Sequence, residues 1–255
     1  MNKILKLLFI TIFLCGVSLS KEVNFIHITD IELTKNTAPK LYETIKEINS
    51  FQDIDFVLFG GNNLSKPNFE TLEYFLHLLK KVNKKSYVLL GSSDVLSTSG
   101  ITKDYYMKRV RKALSYRHSS KPNYVFKKNG YIFIAMDGTK QYFQSTNGYY
   151  SKEELVWLDK QLKKYKEKNV IILQHFPLIQ TNSKWVETAK VEEYSELLSK
   201  HKNVKVIVSG HYDENTEVAQ DGIYHILTEN YSKNSAYKII QIDLSDDFIG
   251  TYLVK

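Results

Sequence analysis

The stretch that most constrains the fold is residues 170–177, where an unbroken apolar run is followed by His175 and then Pro177. A run of this length, preceded by a lysine-rich helical pattern, predicts a strand that is buried on both faces. In an open α/β sheet the ligand crevice lies beyond the carboxyl ends of the strands. We therefore expect His175 to lie where chemistry is usually done.

Four other predicted strands also end in polar residues or glycines, so five strand ends could converge on one site. Residues 24–30 lead into Asp30 and Glu32, and residues 55–59 lead into Gly60, Gly61, Asn62 and Asn63. Residues 87–90 lead into Gly91, Ser92, Ser93 and Asp94, and residues 204–209 lead into Gly210, His211, Tyr212 and Asp213.

Predicted strands and helices alternate along the chain, which favours an α/β fold with βαβ units. Residues 96–120 interrupt this alternation with a basic helix and are interpreted as an insertion beside the site. A hairpin is expected at residues 124–136, and antiparallel strands at residues 222–228 and 236–254. Ser151, with Glu154 three residues later, predicts a capping box at the start of the helix that leads to the His175 strand.

The first twenty residues have the pattern of a secretory signal peptide, with Lys3 and Lys6 before an apolar run and small residues near Ser20. We expect cleavage after about Ser20, and a single exported domain over residues 21–255 without a membrane span. A retained N-terminal anchor is the alternative. Lipid attachment at Cys15 is disfavoured, because Leu14 is not the small residue that such a site needs.

Charge and cysteine content exclude few functions. Cys15 is the only cysteine of the 255 residues, so the mature chain would contain no disulfide. The formal net charge is +7, and the lysines are scattered along helices apart from the cluster at residues 80–85. A solvated basic surface is favoured over a nucleic-acid or anionic-membrane patch, since the cluster lies where cations complement a helix dipole.

The order of these strand-end residues resembles the calcineurin-like metallophosphoesterases, over the whole chain from about residue 23. That family has the motifs Asp-x-His, Gly-Asp, Gly-Asn-His-Asp, His-x-Pro and Gly-His-x-His at successive strand ends. The resemblance implies a four-layer α/β/β/α sandwich of mixed sheets with flanking helices. It also implies a site with two divalent cations, bridged by the aspartate of Gly-Asp, that activate water and bind phosphate.

Carried over residue by residue, the resemblance implies a degenerate metal site. Asp30, His175 and His211 match ligand positions, whereas five positions depart from the motifs. The departures are Glu32 for histidine, Gly61 for the bridging aspartate, Ser92 for asparagine, Ser93 for the catalytic histidine and Asp213 for the last histidine.

These departures leave two hypotheses open. Asp30, Glu32 and Asp213, with His175 and His211, could still hold a divalent metal such as Mn²⁺, Mg²⁺ or Ca²⁺, or iron or zinc. Without a bridging carboxylate at Gly61 we expect fewer than two firmly bound ions, unless Asn62, Asn63 or Asp94 substitutes. The chain is then either an atypical phosphoesterase acting on a phosphate mono- or diester, or a pseudoenzyme that binds a phosphate-bearing ligand or a protein.

Overall fold

The computed structural model describes residues 22–115, 117–143, 145–181, 185 and 187–255. The predicted signal peptide at residues 1–20 lies outside the described residues. Within the described part of the chain, no helix combines the length and the apolar character needed to cross a membrane.

Two main sheets form the centre of the molecule. The first has the order β13-β12-β1-β2-β3 and the second the order β10-β11-β9-β7-β5-β4. The strands of the first sheet are β1 (Val23–Ile28), β2 (Phe56–Phe59), β3 (Lys85–Val88), β12 (Tyr237–Asp243) and β13 (Phe248–Val254). The strands of the second sheet are β4 (Tyr124–Lys128), β5 (Tyr131–Met136), β7 (Val170–Gln174), β9 (Val204–Ser209), β10 (Thr216–Gln220) and β11 (Ile223–Leu227). The short strands β6 (Gly148–Tyr149) and β8 (Thr188–Ala189) pair separately.

Both sheets are mixed, as expected. Strands β1, β2 and β3 are parallel, and β12 and β13 add to that sheet in antiparallel fashion. Strands β5, β7, β9 and β11 are parallel, with antiparallel β4 and β10 at the edges. The hairpin of β4 and β5 is confirmed, whereas the prediction of antiparallel strands at residues 222–228 was incomplete. Strand β11 pairs with β10 in antiparallel fashion and with β9 in parallel fashion. Strand β10 itself was not predicted from the sequence.

Helices cover the outer face of each sheet. The helices are α1 (Ala38–Ser50), α2 (Phe69–Leu79), α3 (Lys103–Ala113), α4 (Lys152–Lys164), α5 (Val191–Ser199) and α6 (Tyr231–Asn234), with a short 3-10 helix at Ser97–Ser99. Buried residues of α1, α2 and α3 share one core cluster with β1, β2 and β3, whereas α4 and α5 pack against β5, β7 and β9. The predicted four-layer α/β/β/α arrangement is therefore observed.

A local sequence signal sets the start of α4, the helix that leads to β7 and His175. The capping box before α4 is confirmed, since Glu154 Oε2 accepts from Ser151 N at 2.7 Å and Ser151 Oγ accepts from Glu154 N at 3.2 Å. The stretch interpreted as an insertion contains α3. This helix packs on α2, where Tyr106 stacks with Phe75 at a ring-centroid distance of 6.3 Å.

An aromatic cluster joins the two sheets. Phe56 of β2 stacks on Phe25 of β1, with ring centroids 4.7 Å apart. The same ring meets Phe126 of β4 and Phe133 of β5 edge to face, at 5.5 and 5.3 Å. Because aromatic pairs add about 0.5–1.5 kcal/mol each beyond the apolar area that they bury, this cluster fixes how one sheet lies on the other.

We expect Phe56→Ala to lower the free energy of unfolding by about 3–5 kcal/mol, because it leaves a cavity among several rings. The measurement is urea unfolding followed by circular dichroism. Phe248→Ala is the matched control, since that ring is 46% exposed and its loss should change stability by about 0.5 kcal/mol or less. Equal losses for the two variants would contradict the role of the cluster.

Candidate active site

Asp30 lies two residues after β1 and is buried, with 2% of its surface exposed. Its carboxylate accepts hydrogen bonds from Thr29 Oγ1 at 2.9 Å, Asn62 Nδ2 at 3.0 Å and the backbone N of His211 at 3.0 Å. Burial raises the pKa of Asp30, whereas these donors oppose the rise because they favour the ionised form. The three donors follow β1, β2 and β9, so Asp30 connects strand ends of both sheets.

His175 follows β7 directly and is fully buried. Its Nδ1 lies 2.9 Å from the carbonyl oxygen of Gly60, so Nδ1 carries the proton and donates. The other ring nitrogen, Nε2, carries a lone pair and lies 3.7 Å from Asp30 Oδ1; it has no hydrogen-bond partner among the described residues. Burial lowers the pKa of His175 to about 4, so the ring is neutral at pH 7. Its Nε2 therefore keeps a lone pair inside the site that can accept a hydrogen bond or bind a metal ion.

His211 lies beside His175, with the ring centroids 5.2 Å apart, and its Nε2 is 2.9 Å from Glu187 Oε2. Burial and the neighbouring His175 lower the pKa of His211 to about 4, against the opposite effects of Asp30 and Glu187. The sequence analysis missed Glu187. It lies in the loop before β8, outside every motif, and only the tertiary fold brings it to His211.

Asn62 stands between the two halves of the site. Its Oδ1 accepts from the backbone N of Ser93 at 3.0 Å, and its Nδ2 donates to Asp30. A backbone N–H can only donate, so this contact fixes which way the amide is turned. Gly61, by contrast, lies close against His175, where an added Cβ would approach Nδ1 to 2.8 Å. The structure thus places Asn62, rather than Gly61, between Asp30 and Ser93.

The residues after β3 are hydrogen-bonded to the loop after β2, which carries Asn62. Ser93 Oγ donates to the carbonyl oxygen of Leu64 at 2.6 Å, so its hydroxyl proton is already used. Asp94 accepts from the backbone N of Gly91 and of Leu64, and from Asn63 Nδ2 at 3.2 Å. Burial raises the pKa of Asp94 to about 7. Asn63 and Asp94 therefore hold the loops after β2 and β3 together.

Glu32 and Asp213 lie apart from this buried group. Glu32 is exposed and accepts from Ser232 Oγ at 3.2 Å. Asp213 is also exposed; it accepts from Asn230 Nδ2 at 2.9 Å and pairs with Lys233 Nζ at 2.5 Å. The structure brings Asp30, Asn62, Ser93, His175 and His211 together, whereas Glu32 and Asp213 are engaged by residues in and next to α6.

Acidic, amide and histidine side chains at successive strand ends are typical of a known protein family. The profile described as calcineurin-like phosphoesterase matches residues 23–213, about three quarters of the chain. The chain belongs to the calcineurin-like phosphoesterase family. Two curated relatives at 22% identity are a 3',5'-cyclic-nucleotide phosphodiesterase of Nostoc sp. and the 3',5'-cyclic adenosine monophosphate phosphodiesterase CpdA of Haemophilus influenzae. The alignments cover 80% and 78% of this chain, and 76% and 73% of the relatives.

Solved structures agree with this fold. A dimetal phosphatase from Danio rerio superposes with a TM-score of 0.67 at 13% identity, over 91% of this chain and 98% of that one. GAP50, the anchor in the inner membrane complex of Plasmodium, superposes with a TM-score of 0.59 at 15% identity, over 92% of this chain and 84% of that one. At these identities the likeness concerns the fold alone.

Members of this family generally depend on divalent metals, but the donors present here do not fit a two-cation centre. Asn62, the side chain between Asp30 and Ser93, is a neutral amide that turns its N–H group towards Asp30, so it cannot bridge two cations. Asp213 is held in an ion pair with Lys233. Among the described residues, no three histidine, cysteine or acidic side chains are arranged to hold a metal ion.

We expect Gly61→Ala to destabilise the protein by about 1–3 kcal/mol more than Gly130→Ala. Both glycines have positive φ, +98° and +88°, so both variants carry backbone strain. A Cβ at Gly61 would also meet His175 and the backbone N of Gly91 at 2.8 and 2.9 Å, whereas a Cβ at Gly130 meets nothing within 4 Å. Thermal unfolding of both variants measures the difference, and equal shifts would disprove the close contact.

Proposed function

We propose that this chain is a non-hydrolytic calcineurin-like phosphoesterase, which binds a phosphate-bearing ligand at the crevice without cleaving it. The observation that carries the proposal is the Asn62 amide, which donates to Asp30. The motif comparison assigned the bridging carboxylate to Gly61, but Asn62 is the residue whose side chain occupies the gap beside Asp30, and it is an amide. A neutral donor at this point supplies neither the negative charge nor the lone pairs that a metal bridge needs. The neighbouring Ser93 offers a hydroxyl already donated to a backbone carbonyl, in place of the histidine expected for the leaving group.

The groups that remain suit binding better than hydrolysis. His175 and His211 are neutral at pH 7, so neither imidazole is poised as a strong general acid near neutrality. GAP50 of Plasmodium, described as an anchor, indicates that this fold is compatible with a structural role. On this proposal the chain retains the fold and the crevice of the family but does not hydrolyse the bound ligand.

A weakly active phosphodiesterase is the second candidate. One observation favours it. Nε2 of His175 has no hydrogen-bond partner among the described residues and lies 3.7 Å from Asp30 Oδ1, so these two atoms could both coordinate one divalent cation. The curated relatives are also phosphodiesterases, which makes a phosphodiester the first substrate class to test.

We also propose that the protein is exported, on the basis of the lysines, apolar run and small residues in the first twenty positions. We expect the mature chain to begin near Lys21 when the full-length gene is expressed in a secreting host. N-terminal sequencing of the fraction outside the cytoplasm measures this. A mature chain that starts at Met1 and fractionates with membranes would favour the retained anchor instead.

Restoring the family residues should create activity that the natural protein lacks. We expect the variant Asn62→Asp, Ser92→Asn, Ser93→His to hydrolyse an aryl phosphodiester in Mn²⁺ about 10²-fold faster than the natural protein, the scale of gain from a restored general acid. Asn62→Asp is nearly isosteric, and Asp tolerates the φ of +50° at this position. Asn83→Asp, at an exposed position between α2 and β3, is the matched control and should not increase the rate of hydrolysis.

The same assay decides between the two candidate functions. If the natural protein already hydrolyses the diester as fast as the repaired variant, and EDTA abolishes that activity, the non-hydrolytic proposal is wrong. If the natural protein is inactive and the repaired variant gains activity, the residues at positions 62, 92 and 93 together account for the loss, and the non-hydrolytic proposal is supported.

A further inference from the structure

A cavity of about 530 Å³ lies on the outer face of the second sheet, between α5 and the hairpin of β10 and β11. Its volume is within the range of clefts that hold small organic ligands. The apolar part of its lining is Leu178, Ile179, Leu198, Val204 and Ile223. Its described lining residues include none of the buried group around Asp30, so the cavity is a binding space separate from the candidate active site.

His225 is the buried polar side chain of this cavity. It lies on β11 with 5% of its surface exposed, on the face opposite to Tyr224 and Ile226, which pack between the sheets. Its imidazole makes no hydrogen bond to another residue of the described chain. Burial lowers the pKa of His225 to about 4, so at pH 7 the ring is neutral and has one N–H group that can donate. Because a buried polar group without a partner is destabilising, His225 points to a ligand that accepts this hydrogen bond.

Two lysines add positive charge to the lining. Strand β11 pairs in parallel with β9, and His225 lies beside Ile207. Since side chains alternate along a strand, Lys205, two residues before Ile207, lies on the same face of the sheet as His225. Lys202, in the turn before β9, also lines the cavity, and neither ammonium is paired with a carboxylate of the described residues. Asp221 is the acidic residue of the described lining, and it is exposed at the turn between β10 and β11.

We propose that this cavity binds a free amphiphilic anion, a carboxylate attached to an apolar tail. The carboxylate accepts hydrogen bonds from Lys205, Lys202 and His225, and the tail lies against the apolar lining. A neutral apolar molecule would leave both ammonium groups and the imidazole without partners, and a cation would be repelled by the lysines. The site does not depend on the function proposed above, because it uses none of the residues of the crevice.

The test is isothermal titration calorimetry of the purified protein with decanoate, at concentrations at which decanoate is monomeric. We expect one decanoate to bind per chain. Hexanoate, which is four methylenes shorter, should bind at least about tenfold more weakly, because each buried methylene strengthens binding by up to about fourfold. Decyltrimethylammonium has a tail of the same length with a positive head group and should not bind detectably.

Variants separate the head-group contacts from the apolar ones. Lys205→Met and His225→Leu each remove one donor, and each should weaken decanoate binding at least about tenfold, the scale of a hydrogen bond to a charged group. The matched controls are Lys40→Met on α1 and His77→Leu on α2. Both change exposed residues outside the cavity and should leave decanoate binding unchanged.

Thermal unfolding distinguishes a ligand-binding His225 from a structural one. Leucine replaces a buried imidazole that has no protein partner, so His225→Leu should unfold at the same temperature as the natural protein or up to about 2–4 °C above it. Decanoate should raise the unfolding temperature of the natural protein and leave that of His225→Leu almost unchanged. A large loss of stability in His225→Leu without decanoate would instead show that the imidazole is a structural group.

Three results would overturn the inference. They are no binding of decanoate by the natural protein, equal binding of decanoate and decyltrimethylammonium, and unchanged decanoate binding by Lys205→Met. The last of these decides the matter even if His225→Leu fails to fold. None of them bears on the proposed function, because the diester assay depends on Asn62 and Ser93, which lie outside the cavity.

Discussion

The contact between the two sheets is the constraint on which the site depends. Phe25 and Phe56 from one sheet meet Phe126 and Phe133 from the other, and this packing brings the carboxyl ends of both sets of strands to the same edge. At that edge His175 donates to a carbonyl of the first sheet's β2 loop. Polar contacts between the sheets become possible only because the apolar contact fixes their distance and angle.

Charge then decides what this edge can do. In a two-cation site the carboxylates repel one another until metal binds, whereas here each acidic group already has protein partners. Asp30 is satisfied by three donors that include the Asn62 amide, and Asp213 pairs with Lys233. Exchanging one bridging carboxylate for an amide removes a negative charge from the centre. The remaining groups are hydrogen-bonded to one another and to the backbone, and this network is the basis of the non-hydrolytic function proposed above.

Much of the fold could be predicted from the sequence, because the signals involved are local. The apolar run at residues 170–173 and its counterparts have the length and composition of buried strands, and they form β7, β2 and β9 within a residue or two. The capping box at Ser151 is a contact between residues three apart, so it could be read from the spacing alone. Strand β10 and the pairing of β11 could not, because a short, mostly polar strand is specified by its neighbours.

The sequence by itself determined which strand ends carry polar residues, and hence that Asp30, His175 and His211 would meet. Only the tertiary structure decided the roles of their neighbours. It turned Gly61 towards His175 and put the Asn62 side chain in the gap, since a positive φ on consecutive residues redirects side chains in a way that a linear motif does not encode. Glu187 and Lys233 reached His211 and Asp213 from elements 24 and 20 residues away. Such contacts arise when loops from different strands dock on one edge, and no local pattern specifies them.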